Sequence, residues 1–171
     1  MQALQAGALR LEPLVQAHAA ALYPLLADPR LYTYMDHGPP ASEAALQAVY
    51  AQLEARHSPD GSEQWLNWAV FDNRQQALGF VQATVISEHR AWVAYVLGHS
   101  HWGQGHGRAA VRAMVDHLRS AYRVQQCLAC VERANIHSLN LLHHLGFEVA
   151  SAAAAASHTL TPTEVLLLRE L

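Results

Sequence analysis

The chain has 171 residues, 51% of them hydrophobic and 15% charged, with a formal net charge of −3, a length that suits one core and predicts a single domain over 1–171. Lys and Arg are scattered rather than clustered, which excludes the electrostatic footprint of a nucleic-acid binder, and polar residues interrupt every apolar stretch before the roughly 20 residues a membrane span needs. Met1 to Leu11 lacks a basic stretch followed by a continuous apolar segment, so no secretory signal is read and a cytoplasmic protein is expected.

In chain order, Ala8 to Pro13 alternates around Leu9 and Leu11 and predicts a first strand. Val15 to Ala27 predicts a helix with Leu22, Leu25 and Leu26 on one side, kinked or divided at Pro24. Asp28-Pro29 and Gly38-Pro39-Pro40 are breakers, after which Ser42 can cap a second helix carrying Leu46, Val49, Tyr50 and Leu53. Leu66 to Phe71, Leu78 to Ile86 and Trp92 to Leu97 read as strands, and the short polar separators between them predict antiparallel hairpins. In Gly107 to Tyr122, Val111, Met114, Val115, Leu118 and Tyr122 fall on one helical stripe.

Cys127 to Val131 predicts another strand. Asn135 to Leu145 predicts a helix with Ile136, Leu139, Leu142 and Leu145 in phase, and Gly146 is placed to end it. Val165 to Leu168 is the last strand. The alanine-rich tract Ala150 to Ser157 has helix propensity but no amphipathic pattern, and its conformation stays open. The expected class is α/β, a mixed sheet with helices on its faces.

Cys127 and Cys130 form a CxxC, but residues three apart in a strand point to opposite faces, and no second pair exists to complete a zinc site. The 12 histidines include His99, His101 and His106 around one loop. None is paired with a carboxylate at helical ligand spacing, so no metal is expected.

The segment Trp102-Gly103-Gln104-Gly105-His106-Gly107-Arg108 stands between an apolar strand and the amphipathic helix. Its glycines let backbone N–H groups converge, and the helix start adds unpaired N–H groups and a positive dipole end, a cradle for phosphate or pyrophosphate. A tight turn without ligand would read the same. No Gly-Lys-Ser/Thr follows, and the preceding strand is not the first of a βαβ unit, so neither nucleotide fingerprint applies.

With Asn135-Ile136-His137-Ser138 followed by Leu145-Gly146-Phe147, the two motifs in this order resemble the GCN5-related N-acetyltransferase superfamily, and within it the branch of ribosomal-protein N-terminal acetyltransferases. The resemblance covers nearly the whole chain and implies a mostly antiparallel sheet of about seven strands with about four helices. It implies acetyl-CoA as co-substrate and a protein N-terminus or a small-molecule amine as acceptor, in a monomer or homodimer. Leu97, Trp102, Gly103, Gln104, Gly105, His106, Gly107, Arg108 and Asn135 are the cofactor-binding residues it implies, although Asn135 also reads as a helix N-cap.

Acetyl transfer to an amine needs a deprotonated amine, a polarised thioester carbonyl and a proton for the departing thiolate. Many family members supply that proton from a Tyr on the last helix, where this chain has Leu142. Ser138 matches the serine that the ribosomal-type branch offers instead, and it also reads as a residue bonded only to backbone. Where relatives place a strand carboxylate this chain has Trp92; Glu63 and Glu88 are possible replacements, neither diagnostic. The missing groups keep a second reading open, a non-catalytic acyl-CoA-binding regulatory module. Trp65, Trp68, Trp92 and Tyr95 read as core aromatics, one or two of which can line an acceptor cleft.

Overall fold

The computed structural model describes residues 1–86 and 89–171. Eight strands form one sheet, numbered here in chain order: β1 (Leu4–Ala6), β2 (Leu9–Pro13), β3 (Gln64–Phe71), β4 (Ala77–Ile86), β5 (Arg90–Leu97), β6 (Gln126–Glu132), β7 (Glu148–Val149) and β8 (Glu164–Glu170). The α-helices are α1 (Ala19–Leu26), α2 (Glu43–Leu53), α3 (His106–Tyr122), α4 (Ile136–His144) and α5 (Ala152–Ala156). The sheet order is β1-β2-β3-β4-β5-β6-β8-β7. Among the described residues only β5 and β6 pair in parallel; every other neighbouring pair is antiparallel.

Alternation puts Leu66, Trp68 and Val70 on one sheet face with Val81, Ala83, Ala91 and Val93, packed under Val111, Met114, Val115 and Leu118 of α3. The other face carries Ala69, Phe71, Phe80 and Val96, covered by Leu22 and Leu26 of α1 and by Leu46 and Tyr50 of α2. The sheet thus separates two apolar cores, as the period of two demands.

Several elements depart from the sequence reading for identifiable reasons. The strand of 8–13 forms as β2, but the reading missed β1, which Gly7 at φ 62 turns back so that Leu4 lies opposite Leu11. The helix of 15–27 divides at His18 rather than Pro24: the His18 Nδ1 accepts the Val15 N–H at 3.1 Å and holds a 3₁₀ turn over Gln16–His18. Pro24 sits inside the eight-residue α1, where its missing N–H removes the bond to the Ala20 carbonyl and the helix ends two residues later. Ile136 and Val49 have apolar spacing but are exposed, 56% and 49%. The tract 150–157 holds α5, capped by Ser151 Oγ on the Ala154 N–H.

The Ser42 cap forms, accepting from Ala45 N–H at 3.1 Å, and Gly146 ends α4 at φ 80. Cys127 is buried and Cys130 exposed, on opposite faces as strand geometry requires; burial pushes the Cys127 thiol up to about 12, and partial covering of the Cys130 thiol, together with the Glu164 and Glu132 carboxylates beside it, does the same there. No described helix is long and apolar enough to cross a membrane.

Candidate functional site

The parallel contact between β5 and β6 is short. It runs from Arg90 opposite Gln126 to Trp92 opposite Leu128, whereas β6 goes on pairing with β8 to Glu132. From Val93 to Leu97 the β6-facing edge of β5 therefore has no strand partner among the described residues, and a slit opens through the sheet. Its edge presents peptide groups of β5 that a ligand can bond.

At the top of the slit the chain leaves β5 through a 3₁₀ turn, His99–His101, and enters α3. Gly103 and Gly105 have φ of 72 and 80 and a Cβ on either would meet nothing within 4 Å; both need the left-handed region and both face open space. The helix ladder starts with the Ala109 N–H on the Gly105 carbonyl at 3.0 Å, so the N–H groups of His106, Gly107 and Arg108 lie ahead of it and point out of the helix end. Gly107 does a different job: a Cβ there would lie 2.9 Å from Leu141 Cδ1 and 3.3 Å from Leu97 Cδ1, so it lets α3 pack against α4 and β5.

Side chains brace this loop. The Trp102 indole donates to the Leu97 carbonyl at 2.8 Å and the Gln104 amide donates to the Ser100 carbonyl at 2.8 Å. Trp102 stays 44% exposed between His99 and His137, ring centroids 4.8 and 6.3 Å away. Burial lowers the pKa of His101, and neighbouring His106 adds to the shift. Among the described residues no three His, Cys, Asp or Glu side chains converge as metal ligands would.

Across the slit, Asn135 caps α4 by accepting the Ser138 N–H at 3.1 Å. That bond sets Ser138 on the first turn, and the Tyr95 hydroxyl of β5 lies 2.8 Å from its Oγ. Burial pushes the Tyr95 phenol up to about 12, with the Ser138 bond opposing, so Tyr95 keeps its proton at neutral pH. Leu142, at the family's Tyr position, is 1% exposed in the core. Sequence reasoning placed Tyr95 among the core aromatics that can line an acceptor cleft and passed over its hydroxyl as a partner of Ser138; the signal was a hydroxyl on an otherwise apolar strand edge. Glu63 accepts the Trp65 indole N–H at 2.9 Å, and Glu88 lies outside the described residues.

The fold and slit define a class: a two-faced mixed sheet whose one parallel pair splays beside a glycine-rich helix start. Residues 8–148 match the acetyltransferase (GNAT) domain model, and the chain belongs to that family of acetyl-CoA-dependent N-acetyltransferases. A curated relative, an uncharacterized N-acetyltransferase p20 of Bacillus licheniformis, is 36% identical over 59 residues, 34% of this chain and 33% of its own length. The chain thus matches about a third of that relative. Among solved structures, a RimL ribosomal L7/L12 alpha-N-protein acetyltransferase with coenzyme A superposes at a TM-score of 0.82 and 16% identity, covering 99% of this chain and 98% of that one. A Vibrio cholerae spermidine N-acetyltransferase with CoA and spermine gives 0.72 and 16%, covering 94% and 93%. Both share the fold.

Proposed function

We propose that residues 1–171 form one acetyltransferase domain that moves the acetyl group of acetyl-CoA to a primary amine, a protein N-terminus or a small-molecule amine. The observation that carries the reading is the slit, with an N–H cradle at its top and the Tyr95–Ser138 pair inside it.

The open space at Gly103 and Gly105 and the free N–H groups of residues 106 to 108 fit a pyrophosphate, with Trp102, Gln104 and Arg108 around it. Leu97 ends the free strand edge, whose peptide groups fit a pantetheine arm, and Asn135 holds the opposite wall. Acetyl-CoA supplies the activated thioester. The amine nitrogen bonds the carbonyl carbon, the C–S bond breaks, the nitrogen loses a proton to water, and the thiolate gains one.

Ser138 is the residue assigned to that last proton. Tyr95 keeps its proton, and in its hydrogen bond with Ser138 Oγ either hydroxyl can donate; when Tyr95 donates, the serine hydrogen is free to turn into the slit. The setting in this reading is the cytoplasm, and a monomer or homodimer is consistent with the site, which one chain supplies.

The test is thermal unfolding with and without acetyl-CoA, together with thiol release in the presence of amines. A saturating ligand that binds only the folded state raises Tm. No shift and no thiol release would remove the reading; a shift without release for any amine would favour the regulatory module.

A further inference from the structure

A cavity of about 520 Å³ lies at the far end of the sheet from the cofactor cradle, among the start of β3, the end of α3 and the chain that joins α2 to β3. Its lining includes Arg56, Gln64, Leu66, Tyr122 and Met1. Gln64 is in register with Val85 and, through it, with Ala91. The cavity therefore sits two strands from β5 and short of the point where the slit opens.

Arg56 is held there against its own preferences. Its φ of 64 is in the left-handed region that favours glycine, where it follows α2 and donates its N–H to the Leu53 carbonyl at 3.1 Å. Its Nη2 donates to the Leu14 carbonyl, while Nη1 is buried with no partner among the described residues. Burial lowers the pKa of the guanidinium, with Glu54 and Tyr122 opposing. The carboxylates of this region are engaged elsewhere: Glu54 accepts the Gln16 N–H, Asp60 the Ser58 and Ser62 hydroxyls, and Glu63 the Trp65 indole. Among the described residues none of them lines the cavity and none forms an ion pair with Arg56.

Tyr122 neighbours a second basic group. Its ring is edge-on to His117 at 5.5 Å, whose Nε2 is likewise buried without a partner among the described residues. Burial raises the pKa of the Tyr122 phenol, with Arg56 opposing, so its hydroxyl keeps a proton to donate at neutral pH. The exposed Gln64 amide offers further donors. Leu66, the Tyr122 ring and the Met1 side chain, 40% exposed, are the apolar part of the wall.

We propose that this cavity binds the carboxylate of a small amphipathic acid, with its acid group facing Arg56 and bonded by the Tyr122 hydroxyl and the Gln64 amide. Its apolar body lies on Met1, Leu66 and the Tyr122 ring. A cation without an ion pair at the wall of a cavity draws an anion into it. The carbonyl end of α3 carries a partial negative charge and works against an anion beside Tyr122, which makes the full charge of Arg56 the deciding group. A bare inorganic anion would leave the apolar wall in water, where an acid with a short tail covers it. The site is independent of the acetyltransferase reading above.

Calorimetry on the full chain compares hexanoate with hexanol, its uncharged counterpart, and with inorganic phosphate, each with and without saturating acetyl-CoA. Hexanoate should bind with the same Kd in both conditions, and hexanol and phosphate should bind more weakly by about tenfold or more. Arg56→Gly suits a φ of 64 and should unfold cooperatively yet lose hexanoate binding, whereas Arg56→Lys keeps the charge and should retain binding within about tenfold. Tyr122→Phe keeps the ring against His117 and should weaken binding by roughly tenfold to a hundredfold. Gln64→Leu should also weaken it, and these two variants decide the matter if Arg56→Gly does not fold. Hexanol binding as tightly as hexanoate marks an apolar pocket and overturns the site, as does binding of phosphate alone. Competition with acetyl-CoA, affinity that survives Arg56→Gly or both of the other variants, or no binding of hexanoate at all overturns it equally.

Discussion

Replacing Gly105 with Val separates a ligand-binding glycine from one that serves the turn alone. Gly105 is the N-cap of α3 at φ 80 and ψ −4, and its added Cβ meets nothing within 4 Å. The folded protein therefore pays for the left-handed conformation without a collision, about 1–2 kcal/mol. At about 2–4 °C per kcal/mol for a domain of this size, Tm should fall by about 2–8 °C. The open space that spares the fold is where a pyrophosphate oxygen would sit, and the N–H groups of residues 106 to 108 would lose their approach to it. One hydrogen bond to a charged group is worth about 1.5–3 kcal/mol, so affinity for acetyl-CoA should fall by roughly tenfold to a hundredfold or more. Urea unfolding and calorimetry on the same variant read both quantities. A folded Gly105→Val protein that keeps its affinity refutes the placement of the cofactor.

Tyr95→Phe and Ser138→Ala should each lower kcat with the Kd for acetyl-CoA kept, and the double variant should lose little more than Ser138→Ala alone, because both act on one proton; additive losses in the kinetic cycle would break the link. The general-acid step is worth about 10²–10⁴-fold, which bounds the Ser138→Ala effect. Cys127→Ala with Cys130→Ala should retain cofactor binding and turnover, and loss of activity in a folded protein would revive a redox role. For His117, 8% exposed against Trp68 and Tyr122, burial first and then the N-terminal ammonium lower the pKa from 6.5. The unfolded chain thus binds the proton first, so stability is full above about pH 6.5 and declines as pH falls below it. Urea midpoints at two pH values should show a smaller decline in His117→Phe, and equal slopes would exclude this residue as a cause.

The elements most legible in the sequence were those whose burial follows a simple period. The α3 stripe of Val111, Met114, Val115 and Leu118 is buried throughout, and the hairpins of β3, β4 and β5 pair as the short separators suggest. Misreadings fell where a single local group overrides periodicity. Gly7 folds a further strand, β1, back onto the strand read at 8–13, and His18 moves a helix start that propensity and Pro24 do not fix. Ile136 keeps helical phase but occupies the first turn of α4, ahead of the packed residues Leu139, Leu142 and Leu145.

The cofactor mouth of the slit and the sheet face opposite it differ in what a sequence can carry. The cofactor mouth is made of backbone: glycines at positive φ, a helix start and a strand edge, all constraints that tie residue type to position and leave a motif. The opposite sheet face is made of side chains brought together by register, Asn67 from β3, Gln82 from β4 and Ala94 from β5, and residues 27 apart along the chain share no spacing rule. One trace does remain. In Leu66-Asn67-Trp68-Ala69-Val70-Phe71 a single amide interrupts a strand that is otherwise apolar and buried on both faces. A central strand tolerates such a residue only where its amide finds a partner or water, and the Asn67 side chain keeps contact with solvent at the sheet face.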